Sequence, residues 1–124
     1  MPRIKITAGD VSAYAQLGDG PTAKKVWEAL PIEASAQTWG DEIYFGIPVQ
    51  ANKEPDAKAE RAVGDLAYWP PGNAFCIFFG PTPMSSGDLP VAASPVNTLG
   101  TVEGDATVFK SVRSGAKVII EAAE

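Results

Sequence analysis

Apolar and polar residues alternate along most of this chain, which is the pattern of strands that bury one face. Ile4 and Ile6, and then residues 11–17, alternate on either side of a turn at 8–10, which predicts an N-terminal β-hairpin. The same alternation over Asp41–Val49 predicts a strand. Further strands are predicted from Ile32 onward and over 63–68, 75–79, 96–102 and 117–121.

Two segments show other periodicities. Apolar residues at helical spacing predict a short helix over Thr22–Leu30, which Pro31 ends. Asp105 is a favourable N-cap for a second short helix that Gly115 ends. About eight strands and two helices predict a mainly β fold, a closed or nearly closed barrel whose ends the helices cover. We expect residues 1–124 to form one domain, because no linker or repeat interrupts the pattern.

Two stretches break the alternation. Residues Asn52–Arg61 are charged and contain Pro55, so they predict a solvated loop. Residues Pro81–Pro95 are rich in Pro, Ser and Gly and predict a long loop, which is either functional or an idle surface excursion.

The overall charge limits the class of partner. The formal net charge is −5, and an acidic protein is unsuited to binding a phosphate backbone or an anionic membrane surface. No apolar run is long enough for a membrane span, and residues 1–6 lack the apolar block of a signal peptide. We therefore expect a cytoplasmic protein that binds neither nucleic acid nor membranes.

Histidine is absent and Cys76 is the only cysteine. The composition excludes an intramolecular disulfide, the usual zinc ligand sets and a Ser-His type of triad. No acidic cluster has recognisable metal-ligand spacing. We therefore expect neither a metal nor another cofactor, and we interpret Cys76 as a buried apolar filler rather than a nucleophile.

Four segments resemble the signatures of a known family, the cyclophilin-like proteins of prokaryotes, formerly a domain of unknown function. The resemblance covers essentially the whole chain and implies an eight-stranded cyclophilin-like barrel with a helix at each end. It implies no settled activity. The segments are TWGDEIYF (38–45), GDLAYWPPG (64–72), CIFFGPTPM (76–84) and VNTLG (96–100).

True cyclophilins are similar at fewer positions. Residues 99–104 resemble the ending of that family, and the strand that supplies its catalytic arginine matches the region from Trp39 to Tyr44. No arginine lies there. Without a donor to stabilise the twisted amide, a barrier of about 20 kcal/mol keeps its height, so proline isomerase activity is disfavoured.

Glu42 is the best candidate for a functional ionisable group. Alternation directs Ile43 and Phe45 into the barrel, so Glu42 and Tyr44 point outward beside Trp39. Cyclophilins bind ligands on this outer wall. Glu42 is then a hydrogen-bond acceptor, or a general base if partly buried. The alternative is a solvated carboxylate paired with a lysine.

The remaining candidates for a ligand-binding wall each have a structural alternative. Aromatic and proline side chains at 68–71 form a rigid apolar surface, or else cap the core and stiffen a turn. Phe78 of the next strand faces either the groove or the core. Met84 of the long loop is a flexible side chain that could contact a ligand, and Asn97 binds either a ligand or the backbone. These residues are Tyr68, Trp69, Pro70, Phe78, Met84 and Asn97.

Four functions fit these residues. The first is a binding module that takes a small molecule or a proline-containing peptide in an outer-wall groove. The second is an enzyme on a small metabolite, with Glu42 as acid or base. The third is an accessory or partner module, and the fourth a weak proline isomerase. The sequence leaves open whether the protein is an enzyme, and whether it is a monomer or a homo-oligomer.

Overall fold

The computed structural model describes residues 2–123; Met1 and Glu124 of the predicted domain lie outside the described residues. The helices are α1 (Pro21–Ala29) and two 3₁₀ helices, Pro70–Gly72 and Ala106–Ser111. The strands are β1 (Arg3–Ala8), β2 (Val11–Leu17), β3 (Ile32–Ser35), β4 (Gln37–Thr38), β5 (Glu42–Gly46), β6 (Lys58–Glu60), β7 (Asp65–Trp69), β8 (Ala74–Phe78), β9 (Val91–Val102) and β10 (Lys117–Ala122).

All ten strands belong to one sheet, so the predicted mainly β class is confirmed. The order is β3-β10-β1-β2-β9-β7-β8-β5-β4, and β6 pairs with β9 as a side branch. Every pair is antiparallel. The predicted hairpin is β1 and β2, in which Ala8 pairs with Val11 across the turn.

The predicted closed barrel of eight strands is wrong in strand number and in closure. The described chain has ten strands, and no hydrogen-bonded ladder joins the edge strands β3 and β4. These two strands are consecutive in the chain and only Ala36 separates them. One stretch of backbone therefore forms one edge of the sheet against β10 and the other edge against β5. The order of paired strands therefore ends at β3 and at β4, and no strand pair closes it.

The two predicted loops also need correction. Residues Lys58–Glu60, inside the expected loop 52–61, form β6, and the expected loop 81–95 ends at Pro90 because β9 begins at Val91. The two strands pair with each other, with Lys58 opposite Val96. The sequence did not predict this pairing, because charged residues and prolines are typical of loops. Edge strands tolerate both residue types as well.

The main core lies on one face of the sheet, which we call the inner face. It contains the inward residues of the alternating strands, such as Ile4, Ile6 and Leu99. Phe45 of β5 and Phe75 of β8 are register partners whose rings stack at 5.3 Å. Paired aromatic rings across a strand pair stabilise the register as well as burying area.

The predicted helix Thr22–Leu30 is confirmed as α1, shifted by one residue. Pro21 stands at its first position and Val26 packs into the main core. The segment after Asp105 is helical as predicted, but it is a 3₁₀ helix. Asp105 caps it by accepting the Thr107 backbone amide at 2.9 Å, and Phe109 anchors it in the core.

A second, smaller apolar cluster lies on the opposite, outer face of the sheet. It forms because the residues of β7 and β8 that do not face the main core are themselves apolar, and β9 covers them. Burial on both faces makes β8 fully buried along its length. We call this set the outer cluster: Ala67, Cys76, Phe78, Ala92 and Val96.

Candidate functional site

A cavity of about 240 Å³ opens on the outer face beside the outer cluster. Its walls come from the turn before β5 and from β5, β7, β8 and the start of β9. Three aromatic side chains, an acid, a thiol and small apolar residues share it. The lining residues are Trp39, Glu42, Tyr44, Trp69, Cys76, Ala92, Ala93 and Val96.

Strand alternation on β5 presents the polar side of the cavity. Ile43 and Phe45 are fully buried in the main core, so Glu42 and Tyr44 face outward as predicted. Across the sheet Tyr44 pairs with Cys76 of β8. The carboxyl of Glu42 therefore lies diagonal to the thiol on the same face, as cross-strand neighbours do.

Trp39 is positioned by a tight turn that only glycine permits. Gly40 has a φ of +60°, and a Cβ there would lie 2.9 Å from the Thr82 Cα and from the Pro83 ring. The turn is closed by the Trp39 amide, which donates to the Glu42 carbonyl at 3.0 Å. The segment 81–83 thus packs behind the turn and holds Trp39 at the cavity.

Trp69 forms the opposite wall in a fixed orientation. Its indole Nε1 donates to the Ser94 Oγ at 2.7 Å. The ring also packs on Gly72, where an added Cβ would lie 2.8 Å from the ring carbons. A tryptophan held by both contacts gives a rigid apolar wall.

Glu42 supplies the carboxyl group that lines the cavity. Glu42 is only 5% exposed, and burial raises the pKa of its carboxyl from 4.5 to about 7, against an opposing effect of Cys76. No ion pair of Glu42 occurs within the described residues 2–123. The alternative prediction, a solvated carboxylate paired with a lysine, is wrong.

Cys76 is buried, as predicted. Burial first, and then the charge and hydrogen bond of Glu42, raise the pKa of its thiol well above 9. The cavity therefore holds a neutral thiol, which is a poor nucleophile. Cys76 was not predicted to line the cavity, although the alternation of β8 and its pairing with β5 place it on the same face as Tyr44.

The structure brings Trp39, Glu42, Tyr44 and Trp69 together and places the other predicted site residues elsewhere. Tyr68 alternates inward, and its hydroxyl donates to the Val49 carbonyl at 2.7 Å in the core. Phe78 is fully buried in the outer cluster.

Asn97, Pro70 and Met84 also lie outside the cavity lining. Asn97 is fully buried, and its amide donates to the Thr22 Oγ1 at 3.1 Å and to the Asn52 carbonyl at 2.9 Å, which is a structural role. Pro70 lines a separate groove. Met84 is 56% exposed on the loop between β8 and β9.

Comparison with known proteins identifies the family. The family model described as "Cyclophilin-like" matches residues 2–121. The chain belongs to the cyclophilin-like family. This confirms the resemblance drawn from the sequence motifs.

Two solved structures are similar to this cyclophilin-like chain. One is the solution structure of the hypothetical protein AF2241 from Archaeoglobus fulgidus, with 38% identity and a TM-score of 0.84, covering 98% of this chain and 95% of that one. The other is McbB in complex with tryptophan, with 13% identity and a TM-score of 0.67, covering 97% of this chain and 44% of that one. The second likeness concerns the fold alone. Among curated proteins, none gives a significant sequence match.

Neither an arginine nor a metal site accompanies the cavity of this cyclophilin-like chain in the described residues. Arg3 pairs with Glu103 at 3.0 Å, Arg61 pairs with Asp65 at 3.0 Å, and no arginine lines the cavity. Residues 2–123 contain no cluster of three or more metal-ligating side chains. No helix in this part of the chain is long and apolar enough to cross a membrane.

Proposed function

We propose that this cyclophilin-like protein binds a small, largely apolar molecule in the outer cavity, with Glu42 as the hydrogen-bond or proton acceptor. The observation that carries the proposal is a buried carboxyl, 5% exposed, in a cavity walled by Trp39 and Trp69. Burying an acid without a cationic partner costs stability. A perturbed acid in a cleft is therefore a candidate for function.

The size of the cavity restricts the ligand. Its volume of about 240 Å³ lies below the roughly 300–1,000 Å³ of sites for drug-sized molecules. It suits a small metabolite, or a single side chain of an extended peptide. A planar ring with an N–H or O–H donor would stack between the aromatic walls and donate to Glu42. The tryptophan complex of McbB makes indole compounds reasonable first probes.

The test is a fluorescence titration with small aromatic amines and indoles, and with proline-containing peptides for the peptide version. Trp39 and Trp69 line the cavity, whereas Trp27 lies on α1. Binding should change the emission of the wild type and of Trp27→Phe. The affinity for the probe should fall in Glu42→Gln, because an amide oxygen is a poorer hydrogen-bond acceptor than a carboxylate.

The matched control is Glu33→Gln, which removes an exposed strand carboxylate that pairs with Lys117. Equal affinity in Glu33→Gln and wild type is expected. If no probe gives a saturable signal, or if Glu42→Gln and Glu33→Gln bind equally, the proposed role of Glu42 is wrong.

Proton transfer is the second candidate function, because the pKa of Glu42 is about 7 and a general base works best near the operating pH. The carboxylate would take a proton from an acidic C–H bond of the ligand and return it to another atom. Such an isomerisation balances without a co-reactant. Incubating small carbonyl compounds with the protein in D₂O and following deuterium incorporation by NMR tests this. Incorporation should be lost in Glu42→Gln and kept in Glu33→Gln; equal rates would contradict it.

Proline isomerisation has less support than either candidate, since the described cavity lacks an arginine donor. A protease-coupled assay should show no acceleration over the uncatalysed rate.

A further inference from the structure

A second, larger recess lies beside the 3₁₀ turn that follows Trp69. It is an open groove of about 750 Å³. Ser94 and Pro95 of β9 border it on one side, and the 3₁₀ turn Pro70–Gly72 on the other. The segment between β5 and β6, with one residue of α1, completes it. We call it the lysine groove: Lys25, Gln50, Ala51, Asn52, Lys53, Pro70, Pro71, Asn73, Ser94 and Pro95.

The lysine groove concentrates positive charge in an acidic protein. The chain has 15 acidic and 10 basic residues, yet Lys25 and Lys53 line the groove and none of its described lining residues carries a carboxylate. The Lys25 Nζ donates to the Gln50 carbonyl at 3.0 Å. This contact places the ammonium against the backbone of another lining residue.

Two acids that are close to the lysines in sequence do not line the groove. Glu54 follows Lys53, but its carboxylate accepts the Thr22 amide at 3.2 Å, at the start of α1. Glu28 borders a neighbouring depression beside Lys25, not the groove itself. Neither Glu54 nor Glu28 is therefore part of the groove lining.

The neutral side chains of the groove add hydrogen-bond donors. The Ser94 Oγ already accepts from the Trp69 indole at 2.7 Å, so its own hydrogen is available to a ligand. Gln50 and Asn52 are exposed and supply amide groups. Two ammonium groups with hydroxyl and amide donors suit an anion with several oxygen atoms.

We propose that the lysine groove binds a small dianion, a dicarboxylate or a phosphate group, between Lys25 and Lys53. This proposal does not depend on the occupancy of the Glu42 cavity. Trp69 lines the cavity and Ser94 lines the groove, and no described residue lines both.

The test is an NMR titration of ¹⁵N-labelled protein with inorganic phosphate and, separately, with succinate. Sodium chloride at matched ionic strength removes the general effect of salt. Saturable shifts are expected at the amides of 50–53 and Asn73. A response to phosphate alone assigns the groove to phosphate groups, and a response to both assigns it to dianions generally.

The variant Lys25→Gln/Lys53→Gln should weaken this binding about tenfold or more. Because both lysines are exposed, the rest of the spectrum should stay unchanged. Lys117→Gln, an exposed lysine on β10, is the matched control and should bind as the wild type does. Shifts that chloride reproduces, or that the double substitution leaves intact, would overturn the proposal. Unchanged phosphate binding in Glu42→Gln separates this result from that of the cavity.

Discussion

At the scale of single residues, Glu42 connects the fold to the proposed chemistry. Its neighbours on the outer face are Tyr44, Trp39 and Cys76, and none of them supplies a positive charge. Burying the ionised carboxyl without a cationic partner therefore lowers the free energy of unfolding. That cost is measurable, because it depends on whether the group is ionised.

Glu42→Gln should change how stability depends on pH. The folded pKa of about 7 lies above the ordinary 4.5, so between these values the native state binds more protons than the unfolded state. The contribution of Glu42 to the free energy of unfolding is fully present below pH 4.5. It falls by on the order of 2–3 kcal/mol as the pH rises to about 7. Relative to wild type, Glu42→Gln should gain stability over this window in urea titrations.

The difference between the two proteins cancels the titration of other carboxylates. Glu33→Gln, which removes an exposed carboxylate, is the control for the substitution itself. A difference from wild type that does not change with pH in Glu42→Gln would mean that Glu42 ionises in the fold without cost.

Cys76 should titrate at a lower pH once Glu42 is neutralised. The carboxylate and its hydrogen bond add to burial in raising the pKa of the thiol, so Glu42→Gln removes part of the shift and leaves the burial part. Since the chain has a single cysteine, ¹³C labelling of the Cys β-carbon gives one unambiguous signal to follow against pH. An unchanged midpoint in Glu42→Gln would show that the two groups do not interact.

At the scale of elements, α1 depends on a residue far away in sequence. Its N-cap, Gly20, has no side chain to cap the helix. The Glu54 carboxylate instead accepts from the amide of Thr22, while the Glu54 amide donates to the Asn97 Oδ1 at 2.8 Å. One glutamate thus fastens the segment between β5 and β6 to α1 and to β9.

Glu54→Ala should destabilise the protein by about 1–2 kcal/mol, since a lost cap costs about that much. The cost should appear as a lower urea midpoint. Glu60→Ala, which removes an exposed carboxylate on β6, serves as the control and should stay within about 0.5 kcal/mol of wild type. Similar losses in both variants would argue against a capping role.

The spacing of apolar residues within a single segment of the chain was enough to predict most of the strands and α1. Alternation in β5 was enough to direct Glu42 and Tyr44 outward, and helical spacing with Pro31 located α1. The short strand β6 was missed, because its partner β9 is distant in the chain. For the same reason Asn97 was a candidate ligand contact: its partners Thr22 and Asn52 cannot be identified from strand alternation.

At the scale of the whole molecule, one sheet serves two apolar clusters on opposite faces. Strands β7 and β8 contribute Leu66 and Phe75 to the main core, and Ala67 and Cys76 to the outer cluster. Neither cluster can lose these strands without exposing the other. The cavity therefore lies on the outer face of strands whose inner face packs against the main core.

This shared sheet predicts a single cooperative unfolding transition. Trp27 packs on the main core and Trp69 on the outer cluster, so single-tryptophan variants that retain one or the other report on the two faces separately. Their urea midpoints should coincide with the midpoint from far-ultraviolet circular dichroism, once each is compared within the same variant. An earlier transition for Trp69 than for circular dichroism would mean that β6, the start of β9 and the cavity open as a separate unit. In that case the cavity wall would be a mobile cover, and ligand binding would raise the Trp69 midpoint selectively.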